Sequence, residues 1–261
     1  DIGEVTWAVP ADEQTPAYDC VVSVRDAIGQ ERFQAWELRL AATTNEAKDA
    51  TGENQATARK PVPFAPPRVT WPDLRAPDMP QDRQSVPLPG VVADAALGGG
   101  GRYVVLYFAN LHQVGVFDIQ QAKMIGTVSA HDLRVLVAAG AEHFLVHLDD
   151  QRVLLRYRFP TLERDASAFI PPENYISQMC LGAATSGPVY IGGRRSHDRV
   201  VGFFDLESLR PTDAEIVYSV LGEEDFIVQS SSDGTVYSGT RTGKSSFEHE
   251  VVLVRGGQPV G

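Results

Sequence analysis

A pattern of short apolar strands recurs four times between about Pro87 and the C-terminus, with a period of roughly 40–50 residues, and predicts an all-β fold of the β-propeller kind. Two measured spacings carry this. Turn glycines fall at Gly101, Gly140, Gly187 and Gly234, separated by 39, 47 and 47 residues. The apolar anchors of the third strands, Phe117, Tyr157, Phe204 and Leu253, are separated by 40, 47 and 49. A single four-stranded sheet of that length buries both faces only by stacking on neighbours, so repetition and stacking imply each other.

The first 42 residues read as a β segment. Strand-like runs fall at Glu4–Val9, Tyr18–Arg25 and Glu31–Leu40. In the last of these Phe33 is followed by small Ala35, and Trp36, Leu38 and Leu40 share one face at period two, as in a half-buried strand. Residues 43–90 form a connection. Thr43–Lys60 is Thr, Asn, Glu, Ala, Gly and Lys with almost nothing to bury, which predicts a mobile stretch. The rest carries nine prolines between Pro61 and Pro89. Proline fixes φ and removes a ladder donor, so this part is expected to run extended, as a linker or wrapping arm. Val69, Trp71 and Leu74 are its candidates for pinning to a neighbouring surface.

Residues 91–261 hold the repeats. The first copy reads Val92–Leu97, a turn at Gly98–Gly101, then Tyr103–Ala109, Val114–Ile119 and Met124–Val128. The second reads Leu133–Ala138, His143–Leu148, Val153–Phe159 and a weak run at Ala166–Ile170. The third reads Ile176–Leu181, Val189–Gly192, Val200–Leu206 and a short run at Glu215–Val220. The fourth reads Asp225–Gln229, a Ser232-Asp233-Gly234 turn, Thr235–Gly239 and Glu250–Arg255, and is expected to lack its last strand. Runs such as Val104–Phe108 are apolar throughout rather than alternating, which suits sheets covered on both faces. A partial propeller is therefore favoured over a ring that the strands of residues 4–40 complete.

The first copy also resembles the divergent WD40 and YVTN-type propeller repeat. It has an apolar strand, a Gly-rich turn before an aromatic and aliphatic strand, and then a strand ending Val116-Phe117-Asp118-Ile119. Phe203-Phe204-Asp205-Leu206 repeats that ending, whereas the second copy departs from it with Arg156-Tyr157-Arg158-Phe159. The Gly-His and Trp-Asp dipeptides of the commonest WD40 repeats are missing. The resemblance implies the fold and leaves function open, because propellers host scaffolds, receptors and enzymes alike.

Composition narrows the partner. The chain is 43% hydrophobic and 22% charged, ordinary for a globular protein, with a net charge of -11. Such a surface repels nucleic-acid phosphates and anionic membranes, so neither is an expected partner. No apolar run is long enough to cross a bilayer, so membrane insertion is not expected. Cys20 and Cys180 lack metal-ligand spacing and are expected as free thiols. The compartment is left open, since the sequence starts at Asp1 and signals nothing.

Several constellations fail on inspection. Gly239, Gly243, Lys244 and Ser245 suggest a phosphate loop, but three residues rather than four precede the Gly-Lys pair and no helix follows. Gly98–Gly101 falls where every repeat turns. His143 and His147 are four apart in a strand, which separates them by about 13 Å, so no metal site is expected there. His131-Asp132 lacks a nucleophile motif. The acidic pairs Asp149-Asp150 and Glu223-Glu224-Asp225 read as solvated connections. No catalytic residue, metal or cofactor is expected.

What remains is the basic cluster Arg194-Arg195-Ser196-His197-Asp198-Arg199, which stands out in an acidic chain. Arg194, Arg195 and His197 are the expected binding residues, through arginine forks to an acidic group. The expected function is a non-enzymatic propeller that binds a protein partner, as part of a larger protein or assembly. One alternative is a propeller enzyme of lactonase-like or glycoside hydrolase type, with Asp94, Asp149 and Asp225 as its candidate carboxylates. The other is a structural subunit that self-associates through the N-terminal segment.

Overall fold

Four antiparallel meanders follow one another along the chain, each starting a new sheet where the last ends. The computed structural model describes residues 17–25, 30–39, 62–75, 85–171, 174–195, 198–215, 226–241, 251–255 and 258–260. A hairpin of β1 (Ala17–Arg25) and β2 (Glu31–Arg39) precedes the repeats. Blade 1 is β3 (Val92–Gly98), β4 (Tyr103–Phe108), β5 (Gln113–Asp118) and β6 (Lys123–Ser129). Blade 2 is β7 (Val135–Ala139), β8 (His143–Leu148), β9 (Val153–Arg158) and β10 (Arg164–Phe169). Blade 3 is β11 (Asn174–Cys180), β12 (Val189–Arg195), β13 (Asp198–Asp205) and β14 (Arg210–Glu215). Blade 4 is β15 (Phe226–Ser230), β16 (Val236–Arg241), β17 (Val251–Arg255) and β18 (Gln258–Val260).

The blades stack because alternate residues of every central strand are apolar on both faces. Val105, Tyr107, Val114 and Val116 of blade 1 meet Val137, Phe144, Val146 and Leu155 of blade 2 in one buried cluster. The opposite face of blade 2, through Ala138, Leu145 and Leu154, meets Ile176, Val189 and Ile191 of blade 3. Tyr190 and Phe203 of blade 3 then meet Tyr237 of blade 4, with ring centroids 5.9 and 5.2 Å apart. Each blade thus has a forward face toward the next blade and a back face toward the previous one. The first strands β3, β7, β11 and β15 lie side by side in that order. Among the described residues, no comparable packing returns β15 to β3, so the blades form an open arc.

Side chains clamp the inner strands across each gap. Asp94 on β3 accepts from the Val137 amide of β7, and Gln178 on β11 accepts from the Val228 amide of β15. Arg156 of blade 2 donates to the Leu206 and Glu207 carbonyls of blade 3.

The first turns of the four blades converge on a backbone hub. The Gly99 amide donates to the Gly140 carbonyl, Gly100 to Ala183, Ala141 to Thr185 and Ala184 to Ser232, at 2.7–2.8 Å. Gly100 adopts φ +63°, and a Cβ there would lie 2.2 Å from the Pro72 ring. At Gly182 a Cβ would lie 2.5 Å from the Gly234 amide nitrogen and 2.6 Å from the Ser231 carbonyl oxygen, both backbone atoms. Gly182→Ala is therefore expected to lower stability by about 1–3 kcal/mol through overpacking. A reduced urea midpoint at unchanged m-value checks this, and an unchanged midpoint refutes the close approach.

Residues 62–75 cross this hub end. Val62 bridges to Thr212 at the outer strand of blade 3, and Val69 bridges to Thr185 in the hub. The Thr70 amide donates to Ala184, and the Ser186 amide donates to Arg68. Gln120 of blade 1 then donates to the Asp73 carbonyl. Backbone bonds, the Pro72 ring and one apolar side chain hold this segment. Val69, Trp71 and Leu74, expected to pin it, are instead 41%, 61% and 46% exposed. The apolar anchor is Phe64, whose ring packs edge-on against Phe203 of blade 3 at 5.5 Å and whose amide donates to Asp213.

Two strand expectations need correction. The last strand of blade 3 is Arg210–Glu215 rather than Glu215–Val220, and of the expected run only Glu215 lies within the described residues. It is an outermost strand, where polar residues and Pro211 are tolerated, so a search for apolar runs passes over it. Blade 4 does not lack its last strand, because Gln258–Val260 pairs antiparallel with β17. Among the described residues the β1–β2 hairpin forms its own two-stranded sheet and joins no blade, as the favoured partial propeller leads one to expect. The expected run Glu4–Val9 lies outside the described residues.

The hairpin rests against blade 2 on its outer strand. Phe33 enters the cluster between blades 1 and 2, under the Arg164 guanidinium at 4.8 Å. Its amide donates to Gln151, while Arg164 donates to Glu31. Burial pushes the Glu31 carboxyl up, but the Ser23 hydroxyl and the Arg164 and Arg25 guanidiniums outweigh it and hold the group below the usual carboxylate range.

Candidate interaction surface at the loop end

Antiparallel meanders place the second-to-third-strand turns, and the connections between blades, at the end opposite the hub. The first of these connections, between β6 and β7, is built around Asp132, only 5% exposed. Its carboxylate accepts from the amides of Arg134, Asp150 and Gln151, and from the Gln151 side chain. Gln151 and Arg32 also donate to the His131 carbonyl, and the His131 ring stacks on His112 at 5.2 Å. These bonds fix the loop from both flanks and leave Leu133 at its tip, 84% exposed.

Next along this end, the Arg134 guanidinium lies over the Tyr175 ring, 4.4 Å from its centroid, and donates to its hydroxyl. Arg134 also pairs with Asp149 at 3.4 Å. Tyr175 is 43% exposed and sits opposite Arg194 in the β11–β12 register. The loop end therefore combines exposed apolar groups with the Arg134–Asp149 ion pair on a hydrogen-bonded frame.

Beneath it lies His147, 1% exposed, with an unpartnered Nδ1. Burial, aided by the Arg134 charge and opposed by Asp132, pushes its pKa down to about 4. The imidazole is neutral at neutral pH.

The residues singled out from sequence fall as follows. Arg194 and Arg195 end β12 and pair with Arg199 and Asp198 across the hairpin, at the loop end. His197 lies outside the described residues, as do Gly243, Lys244, Ser245, Glu223, Glu224 and Asp225. His143 and His147 occupy one strand, as expected, and His143 pairs with Asp165 at 3.0 Å. Asp94 and Asp149, candidates for a carboxylate pair, hold separate partners, the Val137 amide and Arg134. Among the described residues no group of three or more His, Cys, Asp or Glu is placed to hold a metal ion. Cys20 and Cys180 are free thiols, and desolvation pushes the Cys180 thiol up. Sequence reasoning missed Leu133 by absorbing it into a strand that starts at Val135. The signal was the acidic residue before it, since Asp132 marks a side-chain-capped turn rather than a strand start.

Four successive four-stranded meanders, stacked face to face about a common hub, define a partial β-propeller. No protein-family model and no curated protein matches the chain. Among solved structures it is similar to hydrazine synthase of Kuenenia stuttgartiensis, at 14% identity and a TM-score of 0.49, over 70% of this chain and 51% of that one. It is similar to TolB of Acinetobacter baumannii at 8% identity and a TM-score of 0.47, over 66% and 42%. It is similar to the Swd1 β-propeller domain of Myceliophteria thermophila at 7% identity and a TM-score of 0.47, over 67% and 57%. The chain spans about half the length of these structures.

Proposed function

We propose that this chain is a non-enzymatic, protein-binding propeller module of the divergent WD40/YVTN type, working within a larger protein or assembly. The observation that supports this is Leu133, held 84% exposed on a loop whose backbone is fixed by the Asp132 carboxylate. An apolar side chain on an already ordered backbone gains its burial energy on binding without a large ordering cost. Tyr175, stacked under Arg134, adds a second rigid contact of the type that dominates interfaces. We assign Arg194, Arg195 and His197, on the neighbouring hairpin, to contact acidic groups of the same partner.

The test is affinity capture from native extract with three baits: the unaltered chain, a Leu133→Asp/Tyr175→Ala variant, and an Arg194→Ala/Arg195→Ala/His197→Ala variant. One stoichiometric protein is expected on the unaltered chain, with retention reduced at least ~10-fold by the first variant. The triple variant is expected to weaken retention mainly at low salt, where contacts to acidic groups are least screened. Equal retention on all three baits refutes the loop end as the docking surface.

A further inference from the structure

Three consecutive residues of β2 reach three different pieces of the loop end. The Glu31 amide donates to the Ser129 hydroxyl at 3.4 Å. The Arg32 guanidinium donates to the His131 carbonyl at 2.7 Å. The Phe33 amide donates to the Gln151 side-chain oxygen, also at 2.7 Å. Ser129 ends β6, His131 lies in the connection that carries Leu133, and Gln151 lies in the β8–β9 turn.

Gln151 relays the hairpin to the loop. Its oxygen is occupied by the Phe33 amide, while its nitrogen donates to the His131 carbonyl at 2.7 Å and to the Asp132 carboxylate at 3.3 Å. A donor on one side and acceptors on the other fix which way the amide faces. A glutamine side chain loses much rotamer freedom when it is ordered, and the hairpin orders this one. The His131 carbonyl also accepts from Arg32, so both of these bonds come from the hairpin or from a side chain that it holds. Leu133 is 84% exposed and contributes little packing, so polar bonds carry the order of its loop.

The hairpin is seated by side chains away from that loop. Phe33 is 7% exposed in the cluster between blades 1 and 2, with the Arg164 guanidinium over its ring. Glu31 pairs with Arg164 at 3.1 Å and with Arg25 at 3.2 Å. The hairpin keeps its own ladder, from Ala17 opposite Arg39 to Arg25 opposite Glu31, and shares none with a blade. Unseating it therefore breaks no blade ladder, and such units open locally, below the free energy of global unfolding.

We propose that the β1–β2 hairpin is a clip for the docking loop: seated, it holds Leu133 presented through Gln151 and Arg32, and unseated, it lets the β6–β7 connection loosen. Its role in docking rests on the reading of the loop end as a binding surface. By linkage, a partner that binds the ordered loop also tightens the hairpin onto blade 2.

The test is hydrogen exchange at the Arg134, Asp150 and Gln151 amides, all of which donate to Asp132. Phe33→Ala is expected to speed exchange at these three amides at least ~10-fold, with the β4–β5 and β12–β13 ladders unchanged. Glu31→Gln, which keeps the shape and drops the charge, is expected to do the same at smaller amplitude. Arg32→Ala is expected to speed exchange in the unaltered chain and to add nothing in the Phe33→Ala background, because an unseated hairpin has already withdrawn the guanidinium. Glu31→Gln and Arg32→Ala leave Phe33 in its seam, so they decide the matter if Phe33→Ala fails to fold. Two results overturn the clip. One is unchanged exchange at the three amides in every hairpin variant. The other is equal acceleration in the loop and in the blade ladders, which makes the hairpin a brace for the whole fold. Exchange needs no partner, so the two readings separate. Selective acceleration with no protein captured on the unaltered chain keeps the clip and removes the docking surface, whereas a captured protein with unchanged exchange does the reverse.

Discussion

Phe144→Ala should lower the unfolding free energy by about 3–5 kcal/mol, the largest single-residue effect expected in this chain. Phe144 is 0% exposed on the back face of blade 2. It stacks on Tyr157 at 5.1 Å and leans on Phe159 at 5.2 Å, in the cluster that joins blades 1 and 2. Truncation removes the ring from both blades at once, and the flanking strands cannot collapse into the space without breaking their own ladders. Urea unfolding checks it, with Leu133→Ala as a surface control expected to stay within about 0.5 kcal/mol. A loss below ~1 kcal/mol at Phe144 would mean that the two blades do not share a core.

Acidification should destabilise the fold through His147. Its folded pKa of about 4 lies below the ordinary 6.5, chiefly because burial excludes the charged form. At pH above 6.5 the side chain is neutral in both states, and the full stability is present. As pH falls from 6.5 toward 4, the unfolded chain takes the proton and the folded chain does not. Stability then drops by up to about 1.4 kcal/mol per pH unit, reaching a loss of about 3 kcal/mol near pH 4. Below that the folded form also protonates, and this contribution levels off. Glu31, Asp165 and Asp233, held below their ordinary values of 4.5, 3.8 and 3.8, contribute their own losses in a lower pH range. Chemical denaturation at a series of pH values, for the unaltered chain and for His147→Leu, isolates the effect. The variant should lose the slope between pH 6.5 and 4, and parallel curves would sink the assignment.

The architecture was legible where burial is two-sided. Val104–Phe108 reads as an unbroken apolar run, and His143–Leu148 and Val153–Phe159 as largely apolar runs interrupted by His147 and by Arg156 and Arg158, because neighbouring blades cover both faces, and all three coincide with observed strands. Legibility fell at the outermost strands. Arg210–Glu215 and Gln258–Val260 need only a partner on one edge, so their composition is that of loops. Of the loop end, Arg194 and Arg195 were visible as a charge cluster, but Leu133 was hidden inside an apolar run that the strand enters two residues later.

The sequence by itself determined the repeat, the turn positions and the alternation of apolar residues, because these follow from local periodicity and from glycine at obligatory turns. Only the tertiary structure decided which faces meet and which stay open. The hub bonds from Gly99 to Gly140 and from Gly100 to Ala183 span more than 40 and 80 residues of chain, and no local pattern encodes such a pairing. The same holds for the exposure of Leu133 and Trp71 and the burial of His147. Each is set by the groups that other blades or the crossing arm bring to that point, and a side chain's neighbours across a seam are fixed by stacking rather than by its place in the chain.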